Sequence, residues 1–229
     1  MLHALLHLLY PHACELCGRD LSSSERLLCV RCSLRLPASG FHSIRGNPVE
    51  KALEGRVPLA FASAGFVFGR QSGLQSLIHL FKYGGRRDVA VHLGRQLGLQ
   101  LREHPAGGAW SGLLPVPLHP ARLRTRGYNQ AEALAEGIAS VPGLPKVVKG
   151  LVRKEAAGGS QTKRSRVDRW ENVASGYSWK GALPAAGSHL LLIDDVLTTG
   201  ATIEACGRAV LGASPQTKLS VCCLAWAGR

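Results

Sequence analysis

The sequence predicts an α/β fold in which helices cover both faces of a parallel sheet. Short apolar runs of strand length recur along the chain, at 59–68, 113–118, 146–152, 189–196 and 218–226. Between them, apolar residues recur at the spacing of one helix face. The three stripes are Leu74, Leu77, Ile78 and Phe81, then Val89, Leu93, Leu97 and Leu101, then Ala131, Leu134, Ala135 and Ile138. Apolar strands that alternate with helices are typical of a parallel sheet buried on both sides.

Length and composition fit one such domain with a small appendage. The chain has 229 residues, of which 45% are hydrophobic and 6% are aromatic. This size allows a sizeable core, and this hydrophobic content excludes wholesale disorder. Three parts are predicted. Residues 1–36 hold a short apolar helix and a cysteine cluster. Residues 37–58 form a linker rich in Pro, Gly and Ser, and residues 59–229 form the α/β domain.

The chain is strongly basic, with 28 Lys and Arg against 15 Asp and Glu and a formal charge of +13. Such a charge can simply keep a protein in solution, or it can attract a phosphate-rich small molecule or a nucleic acid. The basic residues cluster in loops rather than on one helical face, which favours a phosphate ligand.

The cysteine pattern points to a reducing compartment. There are seven cysteines, and four of them stand in CxxC pairs. The odd number and the CxxC pairing together argue against a secreted disulfide framework. The apolar N-terminus lacks the basic start of a signal peptide, and no run reaches the length of a membrane span. We therefore expect a cytoplasmic protein without membrane insertion.

The most informative segment is 189–202, HLLLIDDVLTTGAT. Four apolar residues at 190–193 predict a buried central strand that ends in Asp194 and Asp195. A turn of small and hydroxyl residues follows, and then an amphipathic helix. Ligands of open α/β sheets bind at the carboxyl ends of strands, where this acid pair lies.

The residue types of this segment suit a sugar phosphate. A turn that enters a helix offers backbone N–H groups and the positive end of the helix dipole to a phosphate. Adjacent carboxylates can accept hydrogen bonds from two ribose hydroxyls and help hold a hydrated Mg²⁺. An ordinary strand–helix unit with a capping Asp is the alternative, but it leaves the second acid and the repeated threonines unexplained. The candidate ligand-binding residues are Asp194, Asp195, Val196, Leu197, Thr198, Thr199, Gly200, Ala201 and Thr202.

Two further loops are rich in basic residues. In the first, 113–135, an apolar strand broken by prolines is followed by Arg122, Arg124 and Arg126. Guanidinium groups grip phosphate oxygens in pairs, which suits a diphosphate. The second loop, 153–173, carries six basic residues against three acids, and its length predicts a functional or disordered segment. Taken singly, each loop is also compatible with solvated surface.

With its acid pair and Thr-Thr-Gly turn, the chain resembles the type I phosphoribosyltransferases, which bind phosphoribosyl pyrophosphate (PRPP) on such a loop. Four segments are similar to the ComF/GntX group of competence proteins. They are RxRGYNQAxxLA at 124–135, FKYGGR at 81–86, LLIDDVLTTGAT at 191–202 and the array Arg153, Gln161, Arg169 and Asn172. The resemblance spans essentially the whole chain. It implies the type I fold, PRPP with Mg²⁺ as ligand, and a link to DNA uptake, with single-stranded DNA and competence-machinery proteins as partners.

The resemblance also implies roles for individual residues. A second set of PRPP-binding residues comprises Lys82, Asn129 and Gln130, and the basic residues given a catalytic role are Arg124, Arg126, Arg153, Arg166 and Arg169. For Lys82 the alternative is a lysine at a helix end that interacts with the helix dipole, with Gly84 as the cap.

The two CxxC pairs predict a structural zinc ribbon. Cys14 and Cys17 are separated by 11 residues from Cys29 and Cys32. Four thiolates at such spacing can surround a tetrahedral Zn²⁺ and leave no position for water. A pair of redox dithiols is the alternative, but two CxxC pairs favour the metal.

Two functions stay open at this point. In the first, an acceptor displaces pyrophosphate from C1 of PRPP while Arg124, Arg126 and Mg²⁺ hold the leaving diphosphate, although no general base is evident. In the second, a non-catalytic competence factor keeps the PRPP fold and binds single-stranded DNA through its basic loops.

Overall fold

The computed structural model describes residues 12–104, 109–154 and 176–228. The helices in these ranges are α1 (Val30–Leu34), α2 (Pro48–Leu53), α3 (Gly73–Tyr83), α4 (Arg87–Arg102), α5 (Pro120–Arg126), α6 (Gln130–Ala139) and α7 (Ala201–Ala213). The strands are β1 (Phe61–Val67), β2 (Gly112–Pro115), β3 (Leu151–Arg153), β4 (Tyr177–Trp179), β5 (His189–Leu197) and β6 (Lys218–Trp226).

Four of these strands form one parallel sheet in the order β1-β6-β5-β2. Strand β5 lies inside the sheet, and residues 190–193 are at most 4% exposed, so the predicted buried central strand is confirmed. It pairs with β6 as far as Leu197, whereas β2 ends at Pro115 opposite Ile193. Asp194 and Asp195 therefore stand at the carboxyl edge of the sheet, beyond the end of one neighbouring strand.

A hydrophobic core lies on each face of the sheet. Leu191 and Ile193 pack into a cluster with α3, α4 and α6, whereas Leu190 and Leu192 pack into a second cluster with α2 and α7. This two-residue alternation is that of a strand buried on both sides. The predicted fold class, a parallel sheet with helices on both faces, is confirmed.

Helix α6 approaches α4 closely because both carry glycine at the contact. A Cβ atom on Gly94 would lie 2.2 Å from the carbonyl oxygen of Leu134, and one on Gly137 would lie 2.1 Å from that of Val91. Neither position has room for a side chain. The close approach fixes α6, whose first residues border the acid pair.

The predicted strand at 146–152 is wrong in most of its length. Only Leu151–Arg153 forms a strand, and it pairs antiparallel with β4 outside the main sheet, whereas Val147 makes one isolated parallel bridge with Leu113. Between them, Gly150 takes a φ of 153°, and the indole of Trp179 fills the space where a Cβ would stand. The chain leaves the main sheet at this glycine, although its apolar pattern continues.

The predicted linker at 37–58 contains packed structure. Helix α2 buries Val49 and Leu53, and the Asn47 side chain caps it by accepting hydrogen bonds from the amides of Val49 and Glu50. The same side chain donates to the carbonyl of Ala62 in β1. The domain boundaries at 36 and 58 stay a prediction, and the apolar helix predicted near the N-terminus falls on residues 1–11, outside the described residues.

None of the helices in the described part of the chain combines the length and the apolar character needed to cross a bilayer.

Candidate functional site

The acid pair at the carboxyl edge is held in place by its own backbone and by a lysine. Asp194 accepts a hydrogen bond from the amide of Asp195 at 2.8 Å, and Asp195 accepts one from the amide of Val196 at 2.6 Å. Lys82 Nζ lies 2.8 Å from Asp195 Oδ2, and each of the two side chains is 17% exposed. Lys82, in the last turn of α3, therefore pairs with the acid pair, and its contact with a ligand stays a prediction.

Burial and the neighbouring charge of Asp195 raise the pKa of Asp194 to about 7. Both causes disfavour a second negative charge at this edge. Near neutral pH Asp194 is therefore protonated part of the time. A divalent cation or two sugar hydroxyls would stabilise the fully ionised pair and release that proton.

A pocket of about 190 Å³ opens at this edge, and basic side chains line it. Its basic members are Lys82, Arg122, Arg126 and Arg153. Arg124 is not among the lining residues. Residues 120–126 form helix α5, in which positions four apart share a face and positions two apart do not. Arg122 and Arg126 accordingly face the pocket together.

Arg126 is fixed by its neighbours. Its Nη1 donates to Gln130 Oε1 at 2.9 Å, and its guanidinium carbon lies 5.3 Å from the ring centre of Tyr83. Gln130 is 1% exposed and donates from Nε2 to the carbonyl of Tyr128 at 3.2 Å. Gln130 thus orients the arginine as well as lining the pocket.

Asn129, which also lines the pocket, uses its side-chain amide to hold the protein's own structure. Its Oδ1 accepts from the amide of Ala131 at 3.1 Å and caps α6, while its Nδ2 donates to the carbonyl of Val116 at 3.0 Å. Both ends of the amide are therefore engaged within the protein. The predicted contact of Asn129 with a ligand stays a prediction.

Arg153 reaches the pocket from the β3–β4 hairpin. Its Nη1 donates to the hydroxyl of Tyr177, which lies directly across the hairpin. Tyr177 is 5% exposed and lines the pocket, and burial raises the pKa of its phenol. The sequence offered no signal for Tyr177. The other two predicted arginines of this region, Arg166 and Arg169, lie outside the described residues.

The turn after β5 leads into helix α7 with Gly200 as the N-cap. Gly200 takes a φ of 79°, and a Cβ there would lie 2.7 Å from Leu53 Cδ2. No side chain of the described residues caps α7, so none of them accepts a hydrogen bond from its first amides. Thr198 and Thr199 are exposed, and Arg56, which the sequence did not single out, donates to the carbonyl of Thr199.

Of the remaining predicted residues, Val196 and Thr202 line the pocket, whereas Leu197 and Ala201 do not.

The four ribbon cysteines converge as a metal site requires. The sulfur atoms of Cys14, Cys17, Cys29 and Cys32 all lie within 4.8 Å of one another, and those of Cys17 and Cys29 are 3.8 Å apart. A zinc tetrahedron with bonds of about 2.3 Å has edges of about 3.8 Å. Burial opposes ionisation of Cys14, but backbone amides, that of Cys29 first, lower its pKa to about 6. The four cysteines can therefore bind zinc.

The three cysteines of the α/β domain have a different environment. Cys206, Cys222 and Cys223 are buried without exposure, and burial raises the pKa of each thiol. They pack as small apolar side chains in the core.

Comparisons with known proteins give relatives but no matching family model. The DNA utilization protein YhgH of Escherichia coli O157:H7 is 26% identical over 222 residues, which cover 92% of this chain and 88% of that protein. Competence protein F of Haemophilus influenzae is 30% identical over 140 residues, 57% of this chain and 58% of that protein. The chain is related to the DNA utilization and competence proteins. The resemblance to the ComF group seen in the sequence is thereby confirmed.

Similar chains among solved structures include hypoxanthine phosphoribosyltransferases. The hypoxanthine phosphoribosyltransferase of Staphylococcus aureus has a TM-score of 0.33 and 13% identity, with 60% of this chain and 62% of that chain covered. That of Trypanosoma cruzi has a TM-score of 0.35 and 12% identity, with 66% and 77% covered. Because these scores are below 0.5, the fold is assigned on the sheet order and the two cores of the chain itself.

Proposed function

We propose that this relative of the competence proteins binds PRPP with Mg²⁺ in the pocket at the carboxyl edge of the sheet and transfers the phosphoribosyl group to an acceptor. The observation that carries the proposal is the convergence of opposite charges in one pocket. Asp194 and Asp195 line the same pocket as Arg122, Arg126 and Arg153. A ligand that carries both hydroxyls and phosphates satisfies both groups.

Each part of PRPP has a chemical counterpart at this edge. The ribose hydroxyls can donate to the acid pair, and the 5′-phosphate can accept from the uncapped amides at the start of α7. The diphosphate can accept paired hydrogen bonds from the arginines. Mg²⁺ would be held by the acid pair and by the phosphate oxygens, and it would neutralise charge on the leaving diphosphate.

The chain's own residues would contribute positioning and charge neutralisation. In the transfer, the bond between C1 and the diphosphate oxygen breaks, the diphosphate leaves with the electron pair, and the acceptor forms a new bond to C1. Arg126, Arg153 and Arg122 would stabilise the charge that builds up on the diphosphate. The proton that the acceptor loses goes to solvent, since no described residue is placed as its base.

The names of the relatives suggest the setting. They concern DNA utilization and competence, and we propose that phosphoribosyl chemistry of this chain serves the use or uptake of DNA. Single-stranded DNA and competence-machinery proteins are proposed partners, and the cytoplasm is the proposed location. Arg166 and Arg169 would contribute to the same pocket from the 155–175 segment.

Titration calorimetry with PRPP and Mg²⁺ tests the binding step. The double variant Asp194→Asn with Asp195→Asn is expected to bind PRPP at least about 100-fold more weakly, because two charge-assisted hydrogen bonds are each worth about 1.5–3 kcal/mol. Glu136→Gln, on the exposed side of α6, is the control and should bind like the wild type. Unchanged affinity of the double variant would refute the site.

Pyrophosphate release from PRPP tests the transfer step. The acceptor panel should contain ammonia, primary amines and nucleobases, each with and without Mg²⁺. Release that requires both one acceptor and Mg²⁺ supports a transferase. Binding of PRPP without release under any acceptor contradicts the catalytic part of the proposal and leaves the binding part intact.

A further inference from the structure

The first cysteine pair of the ribbon lies along helix α3. Glu15 and Leu16 stand between the ligands Cys14 and Cys17. Glu15 Oε1 lies 2.7 Å from Nη1 of Arg86, three residues beyond the end of α3. Leu16 covers the start of the helix, since a Cβ on Gly73 would lie 2.8 Å from Leu16 Cδ1. One of these two adjacent ribbon residues therefore contacts the start of α3, and the other pairs with Arg86, the residue that precedes α4.

Helix α3 carries this constraint to the ligand pocket. Its inner face is fully packed, with Leu74, Leu77 and Phe81 at most 1% exposed. The carbonyl of Phe81 accepts a hydrogen bond from the hydroxyl of Tyr128, in the turn that precedes α6. The next residue, Lys82, forms the 2.8 Å ion pair with Asp195. The path from the ribbon to the acid pair thus consists of direct contacts.

The position of Glu15 and Leu16 depends on the cysteines that flank them. The Cys14–Cys17 turn is closed by hydrogen bonds from the amide of Gly18 to the carbonyl of Cys14 and from the amide of Cys14 to the carbonyl of Arg19. Four thiols within 4.8 Å gain little from being so close unless a cation joins them. Structural zinc supplies that attraction and contributes to folding directly.

We infer that Glu15 and Leu16 are positioning residues for Lys82, so that zinc in the ribbon strengthens binding at the acid-pair pocket. The inference rests on the proposed function for its ligand, PRPP. It assigns the ribbon a role in the chemistry of the pocket in addition to its role in folding. Removal of the metal is expected to loosen the ribbon's contacts with the start of α3 and with Arg86 and, through α3, the lysine that faces Asp195.

Thermodynamic linkage makes this coupling measurable from both sides. A coupling between two sites typically changes affinity by about 5–150-fold, and it is reciprocal. Metal-free protein is therefore expected to bind PRPP at least about fivefold more weakly than the zinc form. PRPP with Mg²⁺ must then raise the affinity of the ribbon for zinc by the same factor.

Matched variants separate the ribbon contact from a general effect on Arg86. Glu15→Gln removes the ribbon carboxylate from Arg86, whereas Asp88→Asn removes the second carboxylate, 2.8 Å away, which does not belong to the ribbon. Glu15→Gln with Leu16→Ala is expected to weaken PRPP binding about fivefold or more, with zinc content unchanged, because an ion pair and an apolar contact are lost together. Asp88→Asn should bind PRPP like the wild type. Equal affinity of the double variant and the wild type, or equal losses in the double variant and in Asp88→Asn, would overturn the inference.

Hydrogen exchange gives a readout that needs no PRPP. In the full chain, chelation of the metal is expected to speed amide exchange across 73–83 while exchange in β5 and β6 stays slow. Unchanged exchange in 73–83 after verified loss of the metal counts against the inference. A wild type that fails to bind PRPP contradicts the proposed function instead, and the exchange result still decides the role of the ribbon.

Discussion

Arg153 Nη1 donates a hydrogen bond of 3.0 Å to the hydroxyl of Tyr177, its direct partner across the β3–β4 hairpin. Both residues line the acid-pair pocket. The hydroxyl therefore aims a guanidinium at the place where the proposed diphosphate lies.

Tyr177→Phe tests that arrangement. Loss of the hydroxyl frees Arg153 and is expected to weaken pyrophosphate binding about fivefold, in keeping with a hydrogen bond worth about 1 kcal/mol. Isothermal calorimetry with pyrophosphate and Mg²⁺ measures the change. Tyr83→Phe, at an exposed tyrosine of α3, is the control. A variant that binds as tightly as the wild type would show that Arg153 needs no such support.

The two faces of helix α5 give opposite expectations for neighbouring arginines. Arg122→Gln removes a pocket guanidinium and is expected to weaken pyrophosphate binding about tenfold or more, because a hydrogen bond to a charged group is worth about 1.5–3 kcal/mol. Arg124→Gln removes the same charge from the other face and is expected to have a small effect. Fluorescence or calorimetric titration with pyrophosphate measures the affinity of both variants. A larger loss from Arg124→Gln would contradict the helix register.

The raised pKa of Asp194 makes stability depend on pH. An unfolded Asp has a pKa of about 3.9, whereas burial and the charge of Asp195 raise the folded value to about 7. Between these values the folded state binds the extra proton, so the free energy of unfolding should fall as the pH rises from about 4 to about 7. Urea denaturation at pH 5 and pH 8 measures this difference. Asp194→Asn should reduce it and should be more stable than the wild type at pH 8, and an equal pH dependence in the variant would contradict the assignment.

Zinc binding is tested by metal analysis. The purified chain is expected to carry about one Zn²⁺ per molecule, as a site with four thiolates does. Cys29→Ser should lose the ion and unfold at a lower temperature, whereas Cys206→Ala, buried in α7, should keep it. A Cys29→Ser variant with its full zinc content would refute the ligand set.

The glycine contact between α4 and α6 predicts a steric effect on stability. Gly137→Ala places a methyl group 2.1 Å from the carbonyl oxygen of Val91 and is expected to lower the free energy of unfolding by about 1–3 kcal/mol, the usual cost of overpacking. Gly212→Ala is the matched control, because a Cβ there meets nothing within 4 Å and alanine favours a helix. Denaturation of the two variants should give changes of opposite sign.

Periodicity in the sequence predicted the parts of the fold that depend on burial. The stripes on α3, α4 and α6 and the apolar run in β5 are patterns that only a helix face or an interior strand requires. The strand at 146–152 failed because an apolar pattern carries no sign of the turn that Gly150 makes. The helix α2 was missed because only Val49 and Leu53 of its six residues face the core.

The site could be predicted only where residues adjacent in sequence act together. Asp194, Asp195 and the turn to Gly200 are contiguous, so the sequence alone could nominate them as a site. The choice between Arg122 and Arg124 required knowing that 120–126 is a helix, for which Pro120 at its first position was the available signal. Arg56 and Tyr177 come from distant parts of the chain, so no local pattern could place them beside the pocket.

The early end of β2 has a consequence for how the pocket stays open. In a parallel ladder, the next hydrogen bond after Val116 would join its carbonyl to the amide of Asp195. The structure diverts both partners: the carbonyl accepts from Asn129, and the amide donates to the Asp194 carboxylate. By occupying the Val116 carbonyl, the Asn129 side chain ends the hydrogen-bonded pairing of β2 with β5 at this point. Loss of the Asn129 amide is expected to let the Val116 carbonyl accept from the Asp195 amide and to extend the β2–β5 ladder by one hydrogen bond.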